Sequence, residues 1–175
     1  MMNQPIAMKL NFEQIKDSDR IWIYQADRFL SDQETSLIYE SGKGFISEWN
    51  AHGSALSANI AVAHHLFVII NLDENIAMAS GCSIDKLFKW ILSSGVEIGV
   101  DFSNRNILSW IDSGDNIRLS QMAEFEKLIL AEKIKTNTLV FNNLIYNGKD
   151  LKSRWQIPAI ESWHARFFLS MKDNL

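Results

Sequence analysis

Cys82 is the residue whose type and position could do the most specific chemistry. It stands in the corner SGCS, directly before an apolar repeat that predicts an amphipathic helix: Ile84, Leu87, Phe88, Ile91 and Leu92. With Ser83 as the predicted N-cap, the thiol lies at a helix N-terminus, where the macrodipole and free backbone N–H groups favour a thiolate. The position predicts a nucleophile, and the alternative is a small buried thiol without reactivity.

A nucleophilic thiol needs a histidine base within hydrogen-bond reach, and His52 and His164 are the two candidates. Each has a structural alternative: His52 can bond the last carbonyls of the preceding helix, and His164 lies on the apolar face of the last predicted helix. His64 and His65 are adjacent, which on a strand sends them to opposite faces and makes a poor chelate. The sequence therefore predicts no metal and no cofactor.

The SGCS corner offers a second chemistry, because backbone amides at a helix start can bind a phosphate or carboxylate. Gly81 and Ser83 are the ligand-binding candidates on that hypothesis. Lys43 stands between two glycines, but a Walker A loop would need glycine at Leu37 and Ser or Thr at Gly44. A phosphate loop of the P-loop kind is therefore excluded.

Composition narrows the class of protein. Of 175 residues, 47% are apolar and 22% charged, the formal net charge is −4, and Lys and Arg are scattered, which disfavours a nucleic-acid partner. A single cysteine forms no internal disulfide and suits a cytoplasmic location. Trp49 to Leu72 contains no Asp, Glu, Lys or Arg, yet its nine Asn, His, Ser and Gly residues are too many for a membrane span.

The elements predict an α+β fold: a mostly antiparallel sheet of about five or six strands with helices packed on it. Residues 1–18 are a loosely attached lead, with one helical turn near Phe12, and 19–175 form a single domain. RIWIYQ at 20–25 is a strand, and Leu66–Leu72 is a strand buried on both faces that Ile76–Ala79 joins antiparallel.

Helix starts are predicted from capping residues. Ser31 and Glu34 have capping-box spacing, and the helix they open runs across Gly42 and Gly44 to a stop at His52-Gly53. Ser120 is predicted to cap a third helix, and Pro158 to start the last one.

Five segments, RIWIYQADR, WNAHG, SGCSID, TLVFNNL and SWHARFF, resemble a family of short bacterial proteins that often carry the label ABC transporter ATPase. The resemblance runs from about Ile21 to Leu169. It implies no catalytic residue, but it adds Trp49, in WNAHG, to the ligand-binding candidates. A transporter ATPase needs a Walker A loop and an LSGGQ-like signature, and the sequence has neither.

The leading hypothesis is a cytoplasmic module that binds a small molecule or a protein, with no nucleic-acid or membrane partner, and forms a homodimer through an exposed aromatic surface. The alternative is a thiol-dependent enzyme with Cys82 as nucleophile and His52 or His164 as base. A nucleotide-binding protein, as the family label implies, is a third hypothesis that the missing Walker A loop disfavours.

Overall fold

The computed structural model describes residues 12–172, without the side chains of 170–172. Between the short 3₁₀ turns Phe12–Gln14 and Ala159–Glu161, the regular elements follow in this order: β1 (Arg20–Gln25), α1 (Asp32–Glu48), β2 (Asn50–Ala51), β3 (Ser54–Ala55), β4 (Ala58–Ala63), β5 (Phe67–Leu72), α2 (Gly81–Ile98), β6 (Ile107–Ile111), β7 (Ile117–Gln121), α3 (Met122–Leu130), β8 (Leu139–Phe141), α4 (Gly148–Arg154) and β9 (Gln156–Pro158), with α5 (Ala165–Lys172) at the end.

These elements form two compact units. The first contains 12–104 and 145–152 of the described chain, and the second contains 105–144 and 153–172. The predicted α+β class is confirmed, and all strand pairs described are antiparallel. The strands are divided among sheets of three, two and four strands rather than gathered in one.

The first unit is built on a sheet of order β1-β5-β4. β5 is the central strand and all six of its residues are buried, as its apolar run predicts. Trp22, Ile70 and Ile60 stand opposite one another on one face. Helix α1 covers that face at Gly42, where a Cβ would collide with the Ile60 side chain, so this glycine permits the close approach.

Helix α1 begins with the predicted capping box: Ser31 Oγ accepts from the Glu34 N–H, and Glu34 accepts from the Ser31 N–H. The Arg28 guanidinium is the main reason that the pKa of Glu34 falls to about 2. The helix ends at Glu48 with Trp49 as its C-cap, so the predicted stop at His52-Gly53 is wrong. Those two residues form the turn between β2 and β3, with positive φ at both.

The end of the predicted N-terminal lead is tied to the first unit. Phe12–Gln14 is the expected helical turn, and Ile15 after it is buried. The Lys16 ammonium bonds the Asp73 carboxylate, which raises the pKa of Lys16 and lowers that of Asp73. Residues 1–11 of the lead lie outside the described part of the chain.

The second unit has a sheet of order β7-β6-β8-β9 whose core contains Leu108, Trp110, Phe125, Val140 and Phe167. Two helix predictions are corrected here. Ser120 is the fourth residue of β7, and α3 begins after Gln121, which makes no side-chain cap bond. Pro158 ends β9 and precedes a 3₁₀ turn, while α5 begins only at Ala165.

Candidate functional site

The start of helix α2 lies three residues earlier than predicted. Ser80 is the N-cap: its Oγ accepts from the Ser83 N–H at 3.2 Å, and Ser83 Oγ accepts from the Ser80 N–H at 2.8 Å. Serine thus takes the place that Glu or Gln has in the usual capping box. Gly81 and Cys82 are therefore the first two residues of the helix, and both are exposed.

Ser83 and Trp49 hold this helix start in place. Trp49 is 2% exposed, and its Nε1 donates to the Ser83 carbonyl at 2.9 Å, while Ser83 itself is 1% exposed. The Trp49 ring also contacts Trp22 and Phe45, at centroid distances of 5.8 and 5.5 Å. Because both residues are buried and bonded to each other, they position the helix. Their prediction as ligand contacts stays a prediction.

The segment before the helix carries the exposed apolar groups of this region. Ile76 is 66% exposed and Met78 is 71% exposed. The predicted strand Ile76–Ala79 does not form, because Asp73 accepts from the Asn75 N–H and Glu74 Oε1 accepts from the Ala79 N–H. Glu74 is in turn bonded to Arg20 at 3.2 Å. These bonds fix a turn that leaves both apolar side chains in water.

We call the surface formed by Ile76, Met78, Gly81 and Cys82 the α2 entrance. Its first helical turn contains no acidic residue, so no carboxylate of that turn offsets the positive end of the helix dipole. The sequence predicts the Asp73-Glu74-Asn75 turn, because Asp and Asn favour such turns, and the structure has a turn there. No pattern in the sequence indicated that Ile76 and Met78 lie outside the core.

Cys82 and His52 do not form a catalytic pair in the first unit. The Cys82 thiol is free and exposed. His52 is exposed in the β2–β3 turn, with φ of 50°. Within residues 12–172, no hydrogen bond joins the Cys82 sulfur to the His52 ring. The structure therefore provides the exposed thiol of the enzyme hypothesis without this base.

His164 belongs to the second unit and is 1% exposed. Its ring is stacked on Trp163 at 4.0 Å, and its Nδ1 lies 2.8 Å from Ser162 Oγ. Since the Ser162 hydroxyl donates to the Ala159 carbonyl, it accepts from Nδ1–H, which leaves Nε2 unprotonated. Burial, with a smaller effect of Arg166, lowers the pKa of His164 to about 4, so the ring is neutral at pH 7.

Three buried polar atoms of the second unit were not anticipated. Trp110 Nε1, Ser120 Oγ and Asn142 Oδ1 have no hydrogen-bond partner among the described residues. Leu108 pairs with Ser120 and Trp110 with Arg118, so Trp110 and Ser120 face the same side of the sheet. The Trp110 and Ser120 atoms each lose their hydrogen bonds to water on folding and gain none within the described part of the chain. Both therefore lower the stability of this face of the sheet.

The described residues lack a metal-binding cluster and a membrane-spanning helix. In that part of the chain no group of three His, Cys, Asp or Glu side chains could hold a metal ion. None of the described helices is long and apolar enough to cross a bilayer.

His64 and His65 have positive φ in the β4–β5 turn, not the predicted strand conformation, and His65 Nδ1 lies 3.1 Å from Thr35 Oγ1.

Comparison with protein-family models, curated proteins and solved structures finds no match to this chain.

Proposed function

We propose that this protein is a binding module that docks a partner protein on the α2 entrance and performs no chemistry there. The observation that carries the proposal is the exposure of Ile76 and Met78, at 66% and 71%, directly before a helix start. Large apolar side chains exposed together are typical of protein contact sites. Methionine is favoured at such sites because its unbranched, polarizable side chain adapts to different partners.

The proposed surface is held rigidly, which lowers the entropy lost on binding. Glu74 anchors the turn through Ala79 and Arg20, and the capping box and the Trp49–Ser83 bond anchor the helix. A partner would meet side chains whose backbone is already fixed.

The electrostatics of the entrance define the partner's chemistry. The first turn of α2 carries no acidic residue, Lys86 follows one turn later, and Lys89 is paired with Asp85 at 2.8 Å. We therefore infer that the partner contributes a segment with an apolar side chain for Ile76 and Met78 and a neighbouring carboxylate for the helix start.

Photo-crosslinking tests the proposal. The exposed Lys86 is replaced by p-benzoylphenylalanine, and adducts formed in a cell extract are identified by mass spectrometry. The captured protein is then purified and titrated against the unlabelled chain and its variants. We expect the double variant I76S/M78S to bind this protein at least about tenfold more weakly, since about 1.4 kcal/mol of apolar contact gives that factor.

The matched control is Leu130→Ser, because Leu130 is 71% exposed and lies in the second unit. Equal affinities of L130S and wild type support the proposal. Equal affinities of I76S/M78S and wild type, or the absence of any adduct, contradict it.

A further inference from the structure

Strand β4, which is separate from the α2 entrance, has an edge that no other strand of the described chain pairs with. β4 is an outer strand of the β1-β5-β4 sheet. The hydrogen bond from the Asp73 N–H to the Ser57 carbonyl fixes which residues bond inward, because Ser57 and Asp73 continue the β4–β5 register. Bonding alternates along an antiparallel ladder, so Asn59 and Ala61 bond to β5, while Ala58 and Ile60 direct their N–H and C=O groups outward.

A second hydrogen bond supports this alternation. The Ala26 N–H bonds the Leu66 carbonyl, and Ala26 and Leu66 continue the β1–β5 register. Residues 68, 70 and 72 of β5 therefore bond to β1, which leaves 67, 69 and 71 for β4. No hydrogen bond recorded within residues 12–172 reaches the outward groups of Ala58 and Ile60.

The other long edges carry features that discourage pairing with a further strand. On the outer edge of β1, the Ile21 N–H donates to the Tyr146 carbonyl, and the charged residue Arg20 begins the strand. In the second unit, β7 carries Arg118, and β9 has only three residues and ends in Pro158. Charged residues, proline, short strands and covering segments are the usual protections of sheet edges.

β4 carries no charged residue and no proline, while helix α1 packs against its Ile60 face. The strand pairs with β5 over six residues without a bulge, and it lies within the charge-free stretch from Trp49 to Leu72. Its accessible part extends from Ser57 to Ala61, since Val62 and Ala63 are buried. A strand that pairs with its own copy places like residues near one another, and like charges there would repel. Because β4 has no charge, a second copy of the chain is a suitable partner.

We propose that two copies of the chain associate through an antiparallel β4–β4 pair centred on Asn59. In this register Ala58 faces Ile60 of the other copy, so the two outward residues of each strand exchange four hydrogen bonds in all. Asn59 faces Asn59 of the other copy, and because this residue is exposed the two side-chain amides can bond each other. The register uses the accessible residues and excludes the buried end of β4, and it joins two three-stranded sheets into one of six strands.

Covalent trapping tests this register. Facing residues at the centre form a non-hydrogen-bonded pair with Cα atoms about 4.5 Å apart, a separation that a disulfide spans. In a Cys82→Ser background, we expect Asn59→Cys to form a disulfide-linked dimer under mild oxidation. The matched control, Ser57→Cys in the same background, faces Ala61 instead of itself and should give at least about tenfold less dimer, because its two thiols stand about 13 Å apart. Equal yields from the two variants overturn the proposal.

Sedimentation equilibrium provides an independent measurement. We expect wild type to dimerise reversibly and Asn59→Lys to raise the dimer dissociation constant at least about tenfold, since two ammonium groups then face each other. Mixing N59K with N59E should restore association as a heterodimer. Because Asn59 is exposed, both variants keep the fold, which circular dichroism verifies. A wild-type monomer at every concentration up to about 1 mM, where association would be too weak to count as specific, overturns the proposal.

Discussion

The start of helix α2 and the His164 cluster, which contains Phe125, Trp163 and Phe167, hold two candidate catalytic residues in opposite environments. At the helix start, Cys82 is exposed and the apolar residues Ile76 and Met78 stand in water. At the cluster, His164 is 1% exposed and packed against aromatic rings. The comparison teaches that a residue's chemistry and its accessibility are separate properties, and only the first can be read from its type.

The largest expected effect concerns the buried histidine, His164. In the folded chain the pKa of His164 is about 4, against 6.5 for an unperturbed histidine. The stability from its neutral form is complete above pH 6.5 and is lost as pH falls towards 4, because the unfolded state then binds the proton first. We expect the free energy of unfolding to fall by about 2 to 3 kcal/mol from this group between pH 7 and 4.5.

Urea unfolding of wild type and His164→Gln at both pH values measures this effect. The difference between pH 7 and 4.5 should be smaller in H164Q by that amount. His52→Gln is the control, because it replaces an exposed histidine and leaves His164 in place. An unaltered pH dependence in H164Q would show that His164 is protonated freely in the folded state.

The next-largest effect concerns Trp49, which holds the start of helix α2 in place. Trp49→Phe keeps an aromatic ring but removes the donor to the buried Ser83 carbonyl. We expect a loss of about 1 kcal/mol in the free energy of unfolding, since a hydrogen bond contributes about 0.5 to 1.5 kcal/mol and the Ser83 carbonyl keeps its helical bond within α2. Trp90→Phe is the matched control, because Trp90 Nε1 donates to Ser41 in a more exposed place. Equal losses in the two variants would argue against a special role for the Trp49–Ser83 bond.

The smallest effect concerns Cys82 itself. Cys82→Ser should change the free energy of unfolding by less than about 0.5 kcal/mol, as is usual for exposed positions. In the folded wild type, a thiol reagent should label Cys82 completely, and His52→Ala should leave the labelling rate unchanged, because no hydrogen bond joins the two residues. A marked fall in the rate with H52A would revive the thiol-enzyme hypothesis.

Local patterns predicted much of the fold. The Ser31–Glu34 spacing indicated the start of α1, the strand Arg20–Gln25 is observed with the predicted bounds, and the apolar run of β5 indicated its full burial. Gly99 ends α2 as the C-cap in the left-handed conformation. These features depend on neighbouring residues, so a single sequence contains the information.

Features that depend on distant contacts were predicted poorly. Trp49 and Ser83 are 34 residues apart, and nothing in the spacing indicates that they bond. Ile76–Ala79 has the composition of a strand, but the Glu74 side chain takes the Ala79 N–H that a strand partner would need. Pro158 fits a helix start, yet the pairing of Leu139 with Pro158 places it in β9. In each case a long-range contact or a nearby carboxylate outweighed the local preference.

The central claim is that the partner binds at the α2 entrance and not at the His164 cluster. Changing the two regions separately tests this claim most directly. The captured partner is titrated calorimetrically against three proteins: wild type, wild type whose Cys82 carries a bulky maleimide, and H164Q. Our account predicts that the maleimide weakens binding at least about tenfold and that H164Q binds like wild type, because only the first change covers the α2 entrance. Undiminished binding by the maleimide-blocked protein would contradict it.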